Sequence, residues 1–561
     1  MKKSLMALLS ATSLFALSSA GAQGVSLARY IPSDALVTLE LGDFAAAQKQ
    51  LGSVGKELST IDIFALTGEK WPAEMQKAGL SSPIDFISRG GIISLHWPAK
   101  MAQPQILLVA QPKAGLDKVV TRVFADLSKS TKTKKVTTLK EGAYRFYQEG
   151  TDTFYGYQNG IAYLSNDATA LRGFLRRLGG SKEPNLLQNA TYGNTMNSVG
   201  PGVLRAYINF AGAATTVKSL IDLSSGGSSS KEGQLLANSL KTLGQFGGSL
   251  SVDAKGVTST SILFPNPNGG DAALYALLVP KMQKFTLPTM LPASASSVGI
   301  ANFDLNAVYK YLNTWIGRLG GEGSPSINDL VLQSAGIDLN KNLLSWVGTE
   351  FAVVSFSTKS SGKVADPTNP LSSLEGSAAY IKVKDESAAK KGIDLMIDAL
   401  LSQSGPMESG DVGATKRGTT SVEGTDVVSV TSEGKGIWYA VKNGALILTA
   451  SAADMKSALA SGPRLASDSG YTSALKRVPS AISAFSYSPK PVIQSRLAIR
   501  QQLETGLVGL SGGTSVQRNQ LVTVLTNVID SLQKRAGITL GYTTFQNGKI
   551  ISKSTQEVNW K

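Results

Sequence analysis

FYGYQNGIAYLSNDATALRGFL, residues Phe154–Leu175, is matched without a gap by WYAVKNGALILTASAADMKSAL, residues Trp438–Leu459. Tyr155, Asn159, Gly160, Leu164, Ala168 and Leu175 align with Tyr439, Asn443, Gly444, Leu448, Ala452 and Leu459, and most remaining pairs keep their polarity. In both stretches an Asn-Gly pair sits between runs of alternating polarity. Asn-Gly supplies the positive φ that a type I′ turn demands, so each stretch reads as a β-hairpin. A helix follows each hairpin. Asp167 can cap the first helix, whose Leu171, Phe174, Leu175 and Leu178 form one apolar stripe. An offset of about 280 residues is far beyond any solenoid repeat, so the pattern is that of a duplicated domain.

Working outward, each copy opens on a proline-led strand: Tyr30–Ala35 leads into Leu36–Phe44, and Leu291–Ser296 into Ser297–Asp304. Further strands are expected at Gly90–Trp97 and Gln105–Gln111 in the first copy, and at Glu350–Ser357 and Ser377–Lys384 in the second. Helices are expected at Gly115–Leu127 and Glu386–Leu401. Near the end of each copy two helices flank a Gly-Gly tip, in Ser224–Ser230 and in Ser511–Ser515. Closing strands lie in Phe246–Phe264 and Gly537–Thr555. Pro265–Gly270 is the natural break, followed by a connecting helix that Pro280 is expected to kink. The expected architecture is α+β, with two homologous domains. Each is a mainly antiparallel sheet packed with helices and carrying a helical-hairpin insertion. The predicted boundaries are a signal peptide at 1–22, a first copy at 23–265, a linker and connecting helix at 266–284, and a second copy at 285–561.

The signal rests on Lys2 and Lys3, an apolar run over Leu5–Leu17 too short to span a bilayer, and an A-x-A site at Ala20–Ala22. No later stretch has the roughly 18 uninterrupted apolar residues of a membrane helix. Export to the periplasm, envelope or cell surface is therefore expected. The chain has no cysteine in 561 residues, which removes disulfides, thiolate metal sites and cysteine nucleophiles. Stability must then come from core size, and 42% hydrophobic residues over two large domains allow it. The formal charge is +15, or about +13 once Lys2 and Lys3 are removed. In that compartment it points to anionic neighbours (lipid headgroups, wall polymers or glycans) or to a solvated, solubility-biased surface, and away from nucleic acid.

The pattern IPSDALVTLELGDF, then WVGTEFAVV, WYAVKNGALILTAS and SDSGYTSALKRVPS, resembles a family of secreted bacterial proteins catalogued as domain of unknown function 3352. The resemblance runs through most of the second copy and more weakly through the first. It implies export and a duplicated α+β body. Its motifs are structural, so it carries over no catalytic residue.

Candidate chemistry is sparse. His96 is the single histidine, so a Ser-His-Asp triad must pass through it and a multi-histidine zinc site is impossible. It sits near the end of a strand, and its counterpart in the second copy falls in VVSFS. A hydrogen-bonded or surface imidazole is the default for such a residue. Ser473 and Lys476 fit S-x-x-K, as do Ser360 and Lys363, but no companion motif accompanies them. Gly52–Lys56 lacks phosphate-loop spacing. No catalytic, cofactor or metal residue is therefore assigned. The possible anion-binding residues are Lys132, Lys134, Lys135, Arg172, Arg176 and Arg177. Arg172 and Arg176 lie one helical turn apart and project together. The same residues also read as a charged loop and a solvated helix face. The sequence thus favours a non-enzymatic envelope protein that binds or scaffolds anionic components or other envelope proteins. The alternatives are a lipid or hydrophobic-ligand carrier using a cavity between sheet and helical hairpin, and an envelope hydrolase.

Overall fold

A computed structural model describes residues 26–42, 88–98, 103–113, 136–224, 230–321, 323–356, 374–403, 416–432, 435–490, 496–508 and 536–560, with isolated positions at 115–121 and 519–535. The expected signal peptide, the stretch Gly52–Lys56, most of the helix Gly115–Leu127, Ser360 with Lys363, and both glycine tips lie outside the described residues.

The chain packs as two compact units. The first is Met1–Asp271 with Ile499–Arg535 and Thr555–Lys561; the second is Ala272–Ala498 with Ala536–Ser554. The break after Asp271 falls inside the stretch 266–284 read as a linker. Residues Ile499–Arg535, within the stretch 285–561 read from the sequence as one domain, belong to the first unit. Apolar periodicity says that a helix buries one face, but not which sheet receives it.

In the first unit the strands are β1 (Val37–Leu41), β2 (Gly91–His96), β3 (Gln105–Ala110), β4 (Val136–Glu141) and β5 (Tyr144–Glu149). They continue as β6 (Thr153–Gln158), β7 (Ile161–Ser165), β8 (Leu204–Asn209), β9 (Gln245–Asp253) and β10 (Gly256–Phe264). Their pairings give the order β4-β5-β6-β7-β3-β2-β1-β8-β9-β10, antiparallel throughout. Helices α1 (Ala168–Leu178) and α2 (Ala190–Val199) follow β7; α3 (Phe210–Ser224) and α4 (Lys231–Leu243) form the hairpin between β8 and β9. Asp167 does cap α1, accepting from Ala170 N, and Leu171, Phe174 and Leu175 are buried. At the tip of the α3–α4 hairpin, Asp222 accepts from Ser230 N and pairs with Lys218.

The second unit begins with α5 (Ala272–Leu278). This helix stops before Pro280 instead of continuing through it with a kink, because proline lacks an N–H and disfavours helical geometry in the residue ahead of it. Its strands are β11 (Ser297–Asn302), β12 (Val347–Ser355), β13 (Ser377–Val383), β14 (Lys416–Val422) and β15 (Thr425–Ser432). Then come β16 (Lys435–Lys442), β17 (Ala445–Thr449), β18 (Ala484–Ser488), β19 (Ala536–Gln546) and β20 (Lys549–Val558), of which Lys549–Ser554 belong to this unit. The order is β14-β15-β16-β17-β13-β12-β11-β18-β19-β20, position for position that of the first unit. β12 starts earlier than expected and shifts register between Val347 and Phe351. Gly348 allows this, since a Cβ there would come within 2.6 Å of Lys382 O.

Both faces of this second sheet are covered. Ala440, Ala445 and Ile447 join a core with Met455 and Leu459 of α6 (Ala452–Leu459) and Tyr471 of α7 (Ser469–Leu475). Tyr439, Val441 and Leu446 face Ala389 and Ile393 of α8 (Glu386–Gln403), which α6 and α7 follow in the chain, and Trp346. Alternation along β16 and β17 therefore separates two apolar layers. The two Asn-Gly turns are alike: Asn159 and Asn443 both have φ 53°, and Gly160 and Gly444 both have φ 75°.

Candidate functional site

His96 is the last residue of β2 and stands opposite Gln105, the first of β3. The turn at Pro32–Ala35 closes through Ala35 N to Pro32 O, and Leu36 N bonds Leu95 O. That turn brings Asp34 to the imidazole, with His96 Nε2 2.9 Å from Asp34 Oδ2. On the other side His96 Nδ1 lies 3.1 Å from Gln105 Oε1. Gln105 is buried and donates from Nε2 to Asp167 Oδ1 at 2.9 Å, so its oxygen must face the ring. Both ring nitrogens thus meet acceptors, and the arrangement is satisfied only by the imidazolium. The Asp34 hydrogen bond raises the His96 pKa against the opposing effect of burial, and the same bond lowers that of Asp34.

This pair forms part of the wall of an open cleft of about 590 Å³. Trp97 and Pro98 continue the wall beyond β2, and Pro184 contributes a further ring. Ser33, Gln188, Asn189, Asn209 and Thr216 supply polar groups, and Leu36 is the one aliphatic lining side chain besides the prolines. The amides are held in place by capping. Asn189 accepts from Tyr192 N and donates to Ser33 O at 2.7 Å. Asn209 accepts from Gly212 N at 2.8 Å, and Gln188 accepts from Asn185 N at 3.0 Å.

The sequence-predicted arginines do come together, but around carboxylates of their own unit. Arg172 donates to Glu141 Oε2 at 2.6 Å and to Lys140 O, and its guanidinium lies 5.3 Å from the Phe146 ring centroid. Arg176 meets both Glu141 and Glu183. Arg177, only 7% exposed, donates to Tyr30 O at 2.8 Å and pairs with Glu183 at 3.1 Å. These anionic partners lie up to 35 residues away in sequence, out of reach of helical spacing. Lys132, Lys134 and Lys135 lie outside the described residues. Ser473 and Lys476 are both exposed, Ser473 on α7 and Lys476 just beyond it. Among the described residues no cluster of three or more His, Asp or Glu side chains could hold a metal ion.

A second feature was not foreseen. Thr38 and Glu40 of β1 face Tyr207 and Arg205 of β8, cross-strand partners on one side of the sheet. Tyr192 of α2 donates to Glu40, and its ring packs edge-on against Tyr207, centroids 5.2 Å apart. Arg205 Nη1 stands 3.8 Å from Glu40 Oε2. Burial raises the Glu40 pKa, opposed by Arg205 and Tyr192, and pushes the Tyr207 hydroxyl up to about 12. Thr38 Oγ1, Arg205 Nε and Tyr207 OH are buried without a hydrogen-bond partner.

Register identifies the corresponding residues of the second unit. Isolated bridges at Pro32 and Pro292 precede β1 and β11 by the same interval, which matches Thr38 with Val298 and Glu40 with Ile300. Pairing with β18 then matches Tyr207 with Tyr487 and Arg205 with Phe485. The layer that is polar in the first unit is apolar in the second, where Tyr471 packs on Phe485 and Tyr487. Likewise Asp34 corresponds to Ser294, His96 to Phe356 and Gln105 to Gly376. Laying the two halves of the sequence against each other by strand register would have exposed both differences.

No protein-family model matches the chain, and no curated protein matches it. Among solved structures it is similar to crystal form IV of TP0453, at 14% identity over 43% of this chain and 81% of that one, with a TM-score of 0.25. Crystal form III of TP0453 matches at 12% identity over 47% and 91%, again with a TM-score of 0.25.

Proposed function

We propose that the protein is an exported, non-enzymatic binding or scaffolding protein of the cell envelope. In this reading its two units descend from one duplicated α+β domain, and binding resides in the first. The shared strand order and the twin Asn-Gly turns support the duplication, as does the resemblance to the secreted domain family. One observation carries the division of labour. The first unit keeps Asp34, His96 and Gln105 on an open cleft, together with a polar layer under its sheet, where the second unit has Ser294, Phe356, Gly376 and apolar packing. A buried polar layer with unpaired atoms opposes stability, and its retention in one copy suits a working unit better than a structural one.

The arginine cluster is already occupied by Glu141 and Glu183, which directs the search for partners to the cleft. The test is capture of native envelope fragments by the full chain and by the double variant Asp34→Ser with His96→Phe, which installs the second unit's residues. Retention should drop by about tenfold or more. Retention that survives the substitutions but vanishes with added salt would overturn the proposal and return binding to the basic surface.

A further inference from the structure

We propose that the cleft of the first unit takes an uncharged pyranose glycan, with Trp97 receiving the sugar face and Asp34 its hydroxyl rim; the assignment rests on the reading of the first unit as the binding copy. A pyranose ring offers an apolar C–H face and a rim of hydroxyls that each donate and accept. The cleft offers both counterparts. The Trp97 indole lines the cleft beside Pro98 and together with Pro184, and an indole is the kind of flat apolar body that covers a sugar face. Asp34 has a side chain 67% exposed and uses Oδ2 on the imidazolium, so its remaining acceptor capacity faces solvent. A carboxylate bonded to hydroxyls makes charge-assisted, directional bonds.

The donors are complementary. Asn209 and Gln188 spend their amide oxygens on Gly212 N and Asn185 N, which leaves their NH2 groups to donate to ring or hydroxyl oxygens. Those same bonds fix the amides before any ligand arrives, which lowers the ordering cost of binding. A volume of about 590 Å³ lies in the common range of ligand sites, about 300–1,000 Å³.

Charge and lining argue against the other envelope chemistries. The imidazolium of His96 is matched by Asp34, and Arg177 is held by Tyr30 O and Glu183, so an entering phosphate would meet an exposed carboxylate instead of an open cation. An acyl chain would find Leu36 as the sole aliphatic partner besides the prolines, against a wall of amides and hydroxyls whose desolvation it could not offset.

The test is titration calorimetry on the full chain with four probes: a chitin-derived tetrasaccharide, a starch-derived tetrasaccharide, polyglycerol phosphate and phosphatidylglycerol vesicles. The proposal expects saturable heat with at least one tetrasaccharide, its Kd changing less than about twofold between low and moderate salt. Trp97→Ala and Asp34→Asn should each raise that Kd by about tenfold or more, while Trp97→Phe stays within about threefold. Unchanged thermal melting of the Phe and Asn variants keeps a folding defect separate from a binding defect. Saturable heat with the phosphate polymer or the vesicles alone would overturn the proposal. So would tetrasaccharide binding indifferent to all three substitutions. If envelope fragments are still captured through the cleft while both tetrasaccharides stay silent, the ligand class is wrong and the binding reading stands. If capture is also independent of the cleft, both fall.

Discussion

Replacing Thr38, Glu40 and Arg205 by the residues at the matching positions of the second unit (Thr38→Val, Glu40→Ile, Arg205→Phe) should stabilise the first unit, although it removes an ion pair and a tyrosine–carboxylate bond. The pair is loose, at 3.8 Å, with side-chain exposures of 15% for Glu40 and 27% for Arg205. The variant removes two of the three unpartnered buried atoms nearby, Thr38 Oγ1 and Arg205 Nε, each of which costs about 1–3 kcal/mol of desolvation, while Tyr207 OH stays and the Tyr192 hydroxyl loses its acceptor. Exchanging a buried pair for packed apolar residues ranges from neutral to a gain of about 4 kcal/mol. The partial exposure of Arg205 reduces this, which leaves an expected gain of about 1–3 kcal/mol. For a unit of this size that is a rise in Tm of about 2–5 °C. Arg205→Ala alone leaves Glu40 buried without its cation and should cost about 2–4 kcal/mol. Calorimetry of the full chain reads both effects, with Glu350→Ala marking the transition of the second unit. The pH profile adds an independent check. Burial raises the Glu40 pKa above its ordinary 4.5, so the folded state holds a proton that the unfolded state has released. Stability of the first unit therefore falls as pH rises from about 4.5 through the raised value. The triple variant should lose that slope. A triple variant less stable than the natural chain, with its slope intact, would refute the reasoning.

Other expectations are as direct. The raised pKa of His96 means that its bond to Asp34 contributes fully below about pH 6.5 and is lost as pH rises through the native value; His96→Phe should remove that dependence. With Asp34 mostly exposed, the effect on a melting curve is under about 1 kcal/mol. Glu350 is buried and accepts from Thr286 N, Thr286 Oγ1 and Leu287 N, capping the short helix Leu287–Thr289. Glu350→Ala should cost about 1–3 kcal/mol in chemical denaturation by leaving the buried Leu287 N–H unpaired. Asn443 holds φ 53°, so Asn443→Ala should destabilise the second hairpin by about 1 kcal/mol while Asn443→Gly is near neutral.

The sequence by itself determined the features whose physics is local. The Asn-Gly turns, the period-2 strands around them, the Asp167 cap and the stripe of α1 all follow from neighbours a few residues apart. The strand order was not legible, because it depends on pairings between strands distant in the chain, such as β1 with β8 and β3 with β7. The arrangement around His96 was out of reach, because its acceptors come from a turn 62 residues earlier and a strand 9 residues later, and no local pattern encodes that meeting. The same holds for Glu40, whose partners Tyr192 and Arg205 come from distant elements. Arg172 and Arg176 illustrate the converse. Helical spacing placed them side by side correctly, but only the tertiary structure brought Glu141 and Glu183 between them. Charge reads from sequence as a sum, whereas its availability depends on which oppositely charged side chains the fold delivers. Tertiary structure likewise decided which unit Ile499–Arg535 joins, since an amphipathic stripe specifies burial and leaves the receiving surface open.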